Sequence, residues 1–166
     1  MNNYILRYGI VGGTVSIALG LLNWFSVAQW FGPVPSQTVG WLSIILSLMC
    51  VPLGIRYFRD KLNDGKVSFG QGFRIGFGIT FVVSALMYFY SALFFIFQGE
   101  EFIEWTKRGL STAEVAAYEQ QIAQTPAWVY TPWVQAFLLF VSIVLIGLVI
   151  TAISSLILRG QGNGEQ

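Results

Sequence analysis

The side chains able to do chemistry are few, and they stand apart. The chain of 166 residues has no histidine and a single cysteine, Cys50, which removes most imidazole and thiolate metal centres, an intramolecular disulfide and histidine-activated nucleophiles. Carboxylates remain. Asp60 and Asp64 share one polar stretch, and Glu100, Glu101 and Glu104 another. The three glutamates have the charge for a hard cation, but no further carboxylate is fixed nearby and Lys107 and Arg108 offset part of the charge, so they read as a solvated acidic face. Acid–base catalysis needs a carboxylate positioned in a cleft. The expectation is therefore a protein that is not an enzyme, with no catalytic residue, no cofactor, no metal and no nucleic-acid partner. The glycines near 9–13 and 70–78 are not a dinucleotide fingerprint, because no strand precedes them and their spacing is wrong.

The elements that hold these residues follow from where charge is missing. Only 10% of the residues are charged and 55% are hydrophobic, against about 25% charged in a soluble domain, and the mean hydropathy is +0.64. An ion at the bilayer centre costs roughly 2.5 to 3.5 kcal/mol, so membrane spans lie between charges. Positions 8–55 give 48 uncharged residues, about twice the ~20 that cross the hydrocarbon as a helix. Two crossings fit there, broken at Gly32-Pro33-Val34-Pro35-Ser36-Gln37, where two prolines remove backbone donors. The predicted spans are 8–31, 38–58, 75–97 and 132–158, with Pro132 at a first helical position that needs no intrahelical N–H partner. The fold class is an all-α membrane protein, one domain over 1–166. Strands are disfavoured because the runs lack apolar/polar alternation and exceed about 10 residues. Arg7 and Ser26-Val27-Ala28 have the form of a signal peptide, but Gly9 to Phe25 is already 17 apolar-run residues, longer than the roughly 7 to 15 of such a segment. A retained first span is expected.

Four crossings bring both termini and the central loop to one face. That face carries Arg7, Arg56, Arg59, Lys61, Lys66, Arg74 and Arg159 with Asp60, Asp64 and Glu165, a net +4. The other carries Lys107 and Arg108 with five glutamates, a net −3. The positive-inside rule makes the first face cytoplasmic, which predicts a bacterial inner-membrane protein with N- and C-termini in the cytoplasm. Trp24, Trp30, Trp41, Trp105, Trp128 and Trp133 all fall at or near the outer boundary, where indole is favoured, and Tyr4, Tyr8 and Tyr57 at the inner one.

Small residues mark the expected helix contacts: Gly9 and Gly13, extended by Ser16 and Gly20, and Gly72 and Gly76, flanked by Gly70 and Gly78. Close backbone approach is the expected role, in preference to a hinge. An offset of 67 aligns Arg7 with Arg74 and Gly9 with Gly76, consistent with a tandem pair of helical hairpins related about the membrane normal. In the central loop, Arg56, Arg59, Lys61, Lys66 and Arg74 are candidate contacts for anionic lipid, and Asn63-Asp64-Gly65 is a turn signal. The extracytoplasmic segment 98–131 is read as a prolonged third helix, with Glu104 one turn from Arg108, a stop near Gly109, and a capping box at Ser111 and Glu114. That box opens a short amphipathic helix over 112–123 whose Val115, Tyr118 and Ile122 share a face.

The stretch Gly54-Ile55-Arg56-Tyr57-Phe58-Arg59-Asp60 with Gly65 to Gly76, the helix start at Pro132 and the closing Ile153 to Arg159 resemble small four-helix membrane proteins of unknown function found mainly in Bacteroidota. The resemblance implies an inner-membrane protein with a variable acidic outer helix and brings no catalytic residue or cofactor. The first functional expectation is a scaffold or accessory subunit that binds lipid or another membrane protein, or a second copy of itself. The alternative is a small oligomeric channel or transporter using Asn23, Gln29, Thr80, Ser84, Ser91, Gln135, Ser142 and Thr151. Because no ionisable side chain lies within the predicted spans, and coupled transport usually needs one, the first is preferred.

Overall fold

The computed structural model describes residues 3–159, so Glu165 of the basic face lies outside them. The described chain forms helix α1 (Asn3–Phe31), α2 (Pro33–Leu62), α3 (Phe69–Thr106), α4 (Thr112–Gln124) and α5 (Pro132–Leu158), with a short 3-10 turn at Ala127–Tyr130. Among the described residues there is no strand. Helices α1, α2, α3 and α5 are each long and apolar enough to cross a bilayer. The protein is thus an all-α, multi-pass membrane protein of four spans, with α4 an additional helix at the glutamate-bearing end.

Helix α1 starts at Asn3, ahead of the expected 8, and α2 ends at Leu62, past the expected 58; the starts of α2 and α3 differ as well. Helix α2 starts at Pro33, not at position 38, because prolines in the first turn forfeit no intrahelical hydrogen bond. The reversal from α1 instead occupies one residue, Gly32, at φ +80°, a conformation that suits glycine. Helix α3 runs over 38 residues, from Phe69 to Thr106, about 57 Å at 1.5 Å per residue; it starts at Phe69, not at position 75, and its prolongation beyond 97 through Glu104 is the expected one. At its start the Ser68 hydroxyl accepts from the Gln71 N–H while the Gln71 side chain accepts from the Ser68 N–H, a capping box that begins the helix before the apolar run does. Gly109, at φ +87°, terminates the region after α3. Helix α5 spans the expected 132–158. The Ser111–Glu114 capping box opens α4, and its Val115, Tyr118 and Ile122 are the partly covered residues on an otherwise exposed helix.

Packing is organised around α3. Against α5 the two helices are antiparallel and meet at one small residue per turn: Gly72 faces Ser155, Gly76 faces Thr151 and Gly147 faces Thr80. A Cβ on Gly76 would lie 2.6 Å from Thr151 Cγ2, so only glycine permits this approach. Against α1 the helices run parallel, with Ile5 against Gly78, Gly9 against Val82 and Gly13 against Leu86. Gly9 of α1 therefore meets α3, whereas Gly76, its partner in the offset of 67, meets α5. The two hairpins do not reuse the same contact. The core closes over Leu48, Val51, Ile55, Ile79, Val83 and Ile143.

Helix α2 is interrupted at Met49, where Pro52 has no N–H to offer the Leu48 carbonyl. Its second half, Cys50–Tyr57, packs against α1, α3 and α5, whereas its first half, Pro33–Leu48, rests mainly on α1. At the arginine-rich end Tyr4, Tyr8, Tyr57 and Phe58 form one aromatic cluster, with ring centroids 5.9 to 6.0 Å apart.

Candidate functional site

Several hydroxyls in the spans are satisfied by their own helices. Ser43 donates to Val39 O at 2.7 Å, Ser47 to Ser43 O at 2.6 Å, Ser84 to Thr80 O at 2.9 Å and Ser142 to Leu138 O at 2.9 Å. Such back-bonding is the usual resort of a buried hydroxyl on a helix. Thr80 and Thr151 meet across α3 and α5 with their hydroxyl oxygens 3.5 Å apart. Of the polar residues considered for a channel, Thr80, Ser84 and Thr151 thus lie in the packed interior, and Gln135 donates to Val129 O at 2.9 Å.

Three buried polar atoms have no partner among the described residues: Ser16 Oγ, Asn23 Oδ1 and Ser155 Oγ. The first two line one cavity of about 270 Å³ between the four spans, at the glutamate-bearing end. Its walls are aromatic, with Trp24, Trp41, Tyr90, Phe94, Phe102 and Trp105, and the lining contains no acid or base of the Asp, Glu, Lys or Arg type. Below it the interior is sealed by Leu48, Val83 and Ile143. The cavity exists because the first half of α2 stands off α3 and α5 beyond the interruption at Met49.

Helix α1 adapts to this cavity by a π turn at Asn23–Val27, in which the Ala28 N–H donates to Asn23 O. Such bulges are frequent at functional positions. Trp24 and Ala28 are thereby buried in a cluster with Trp105, and the Trp105 indole N–H donates to the Ala28 carbonyl at 2.9 Å. That carbonyl belongs to the last turn of α1, whose carbonyls lack helical partners. Trp24 and Trp105, expected at the headgroup boundary, are therefore inward structural residues, and Trp30, Trp41, Trp128 and Trp133 are the exposed indoles. The Asn23 amide N–H donates to Ser36 O at 3.0 Å, tying α1 to the start of α2.

At the opposite end, Asp60 takes two arginines: Arg59 Nε at 2.6 Å and Arg56 Nε at 3.3 Å. Asp64 lies in the following turn at φ +47°, where the Asn63 amide N–H donates to Lys66 O at 2.6 Å. Asp60 and Asp64 therefore have separate surroundings. Among the described residues Lys61, Lys66 and Arg74 form no ion pair. Arg56 also borders an apolar groove of about 510 Å³ between α2 and α5, floored by Leu53, Ile150 and Ile157.

On the acidic side Glu104 pairs with Lys107 at 3.0 Å in place of the expected Arg108, because Lys107 also reaches Glu119 of α4 at 3.1 Å. Hydrogen bonds from Lys107 to Glu104 and then Glu119 raise its pKa. The Ser111 hydroxyl, followed by its backbone N–H, holds Glu114 below the usual carboxylate value. The described residues contain no cluster of three potential metal-binding side chains.

Signals for this site were partly present in the sequence. Asn23 stands out as a polar residue in a span, but Ser16 reads there as an extension of the glycine stripe. Gly147, Thr151 and Ser155 repeat at four-residue intervals and mark the seam with α3. No curated protein and no solved structure matches the chain. The sequence model of a family described as "Protein of unknown function (DUF4199)" matches residues 7–160, almost the whole chain, and the protein belongs to that family.

Proposed function

We propose that this is a non-enzymatic protein of the bacterial inner membrane, both termini cytoplasmic, that serves as a scaffold or accessory subunit by holding anionic lipid, and through it or beside it another membrane protein. A source in Bacteroidota is part of the same reading. The observation that carries it is the groove between α2 and α5. Apolar side chains line it for about two turns of each helix, and Arg56 stands at its end, so an acyl chain and an anionic headgroup find complementary surfaces in the expected order. Arg59, Lys61, Lys66 and Arg74 add positive charge at the same end. The seven-to-two distribution of cations supports the orientation.

The sealed core and the back-bonded hydroxyls argue against a solute path through a single chain. Native mass spectrometry of the full chain from mild detergent tests the reading. Retained lipid should be anionic in preference to zwitterionic, and Arg56→Gln should lower the retained fraction several-fold, as expected if one cation near a charged surface contributes about 1 kcal/mol. Recovery of the chain with neither lipid nor a protein partner would refute it. Selective flux of an ion or small solute in liposomes would favour the channel instead.

A further inference from the structure

We propose that the cavity at the glutamate-bearing end is a binding site for the hydroquinone head of a membrane isoprenoid, an uncharged flat ring with a hydroxyl at each end. This goes beyond the anionic-lipid reading and concerns a different surface of the molecule.

Charge selects first. The cavity is lined by no Asp, Glu, Lys or Arg, so a phosphate or ammonium headgroup placed there would lose its hydration without gaining a counter-ion. A neutral ligand is required. Shape selects second, because Trp24, Trp41, Tyr90, Phe94, Phe102 and Trp105 supply rigid apolar faces and edges that favour a ring.

Hydrogen bonding selects third. Ser36 O can only accept, so the Asn23 amide must turn its nitrogen to it, at 3.0 Å, and leave Oδ1 as the acceptor without a partner. The ligand must therefore donate. Ser16, only 2% exposed, does not fold its hydroxyl back onto α1 as Ser43, Ser47, Ser84 and Ser142 do onto their helices, and its Oγ is also without a partner. Both residues line the cavity. They lie seven positions apart on α1, about 10 Å along the axis. Two hydrogen bonds of about 2.8 Å, added to the roughly 5 to 6 Å between para oxygens of a benzene ring, cover a similar span. A monohydroxyl lipid with flexible chains satisfies the first of these two polar atoms and leaves the other unmatched. The cavity is open on one side, and its wall includes Trp41 of α2, which is 46% exposed.

The test is titration of the full chain in mild detergent with a decyl-substituted benzohydroquinone, its quinone, its di-O-methyl ether and a short-chain diacylglycerol. The hydroquinone should bind at least tenfold more tightly than the ether, which has the same ring but no donor, and severalfold more tightly than the quinone. Asn23→Leu should cost tenfold or more and Ser16→Ala about threefold. Should Asn23→Leu fail to fold, Ser16→Ala and the ether keep the comparison decisive. Equal binding of hydroquinone and ether, absence of hydroquinone binding, or displacement of it by diacylglycerol at equal concentration would each overturn the proposal. Retention of phospholipid at the α2–α5 groove is read separately by the Arg56→Gln comparison.

Discussion

Glycine at position 76 is dictated by the neighbour it faces. Its added Cβ would press on Thr151, whereas the same change at Gly99 meets nothing within 4 Å. Gly76→Val should therefore destabilise the bundle by about 1 to 3 kcal/mol through overpacking, and Gly99→Ala should leave it unchanged or stabilise it by roughly 0.5 to 1 kcal/mol through helix propensity. Denaturation by SDS from mixed micelles measures both, and equal effects would refute the seam. The glycines at 9, 13, 72 and 76 were legible as packing sites because small residues at four-residue spacing have few other uses in lipid. Which helix each one faces was not, since a spacing of four names a face of a helix and not its partner.

Helix α4 is held by two exposed devices with opposite responses to pH. Glu114 is kept below its ordinary value of 4.5 by Ser111. The contribution of this cap is therefore present above that ordinary value and is lost as pH falls through the lowered one. The Ser111 amide resonance should hold steady at neutral pH and shift with a midpoint below 4.5, and Ser111→Ala should bring that midpoint closer to 4.5 without abolishing the shift, because the backbone N–H still donates to Glu114, while weakening α4 by about 1 kcal/mol. Lys107 has the reverse sign. Its raised pKa makes the tie from α3 to Glu119 fully present below the ordinary 10.5, and lost as pH rises through the raised value. Lys107→Ala should speed amide exchange in α4 at neutral pH and leave α5 unaffected. The start of α4 could be read from Ser111 and Glu114, because a capping box is a contact within four residues. The Lys107–Glu119 tie joins residues twelve apart across a turn, and only the path of the chain at Gly109 brings them together.

At the scale of the whole molecule, the arginine-rich and glutamate-bearing ends define two faces of one four-span bundle. In a Cys50→Ser background, a cysteine replacing Val115 should react with a membrane-impermeant maleimide on spheroplasts, and one replacing Lys61 only after lysis. The opposite pattern would invert the orientation and move the basic groove to the outer leaflet.

Four spans, their approximate limits, the uneven distribution of charge and the extra helix are all properties of the sequence alone. They depend on local chemistry: the cost of an ion in hydrocarbon, the length needed to cross it, and caps that act within a few residues. The cavity is a property of the tertiary structure. It arises where α2 is interrupted and stands away from α3 and α5, and where a π turn carries Trp24 inward to meet Trp105 of α3. An unpartnered Asn23 Oδ1 acquires meaning only there, because whether a polar atom finds a partner depends on every helix around it.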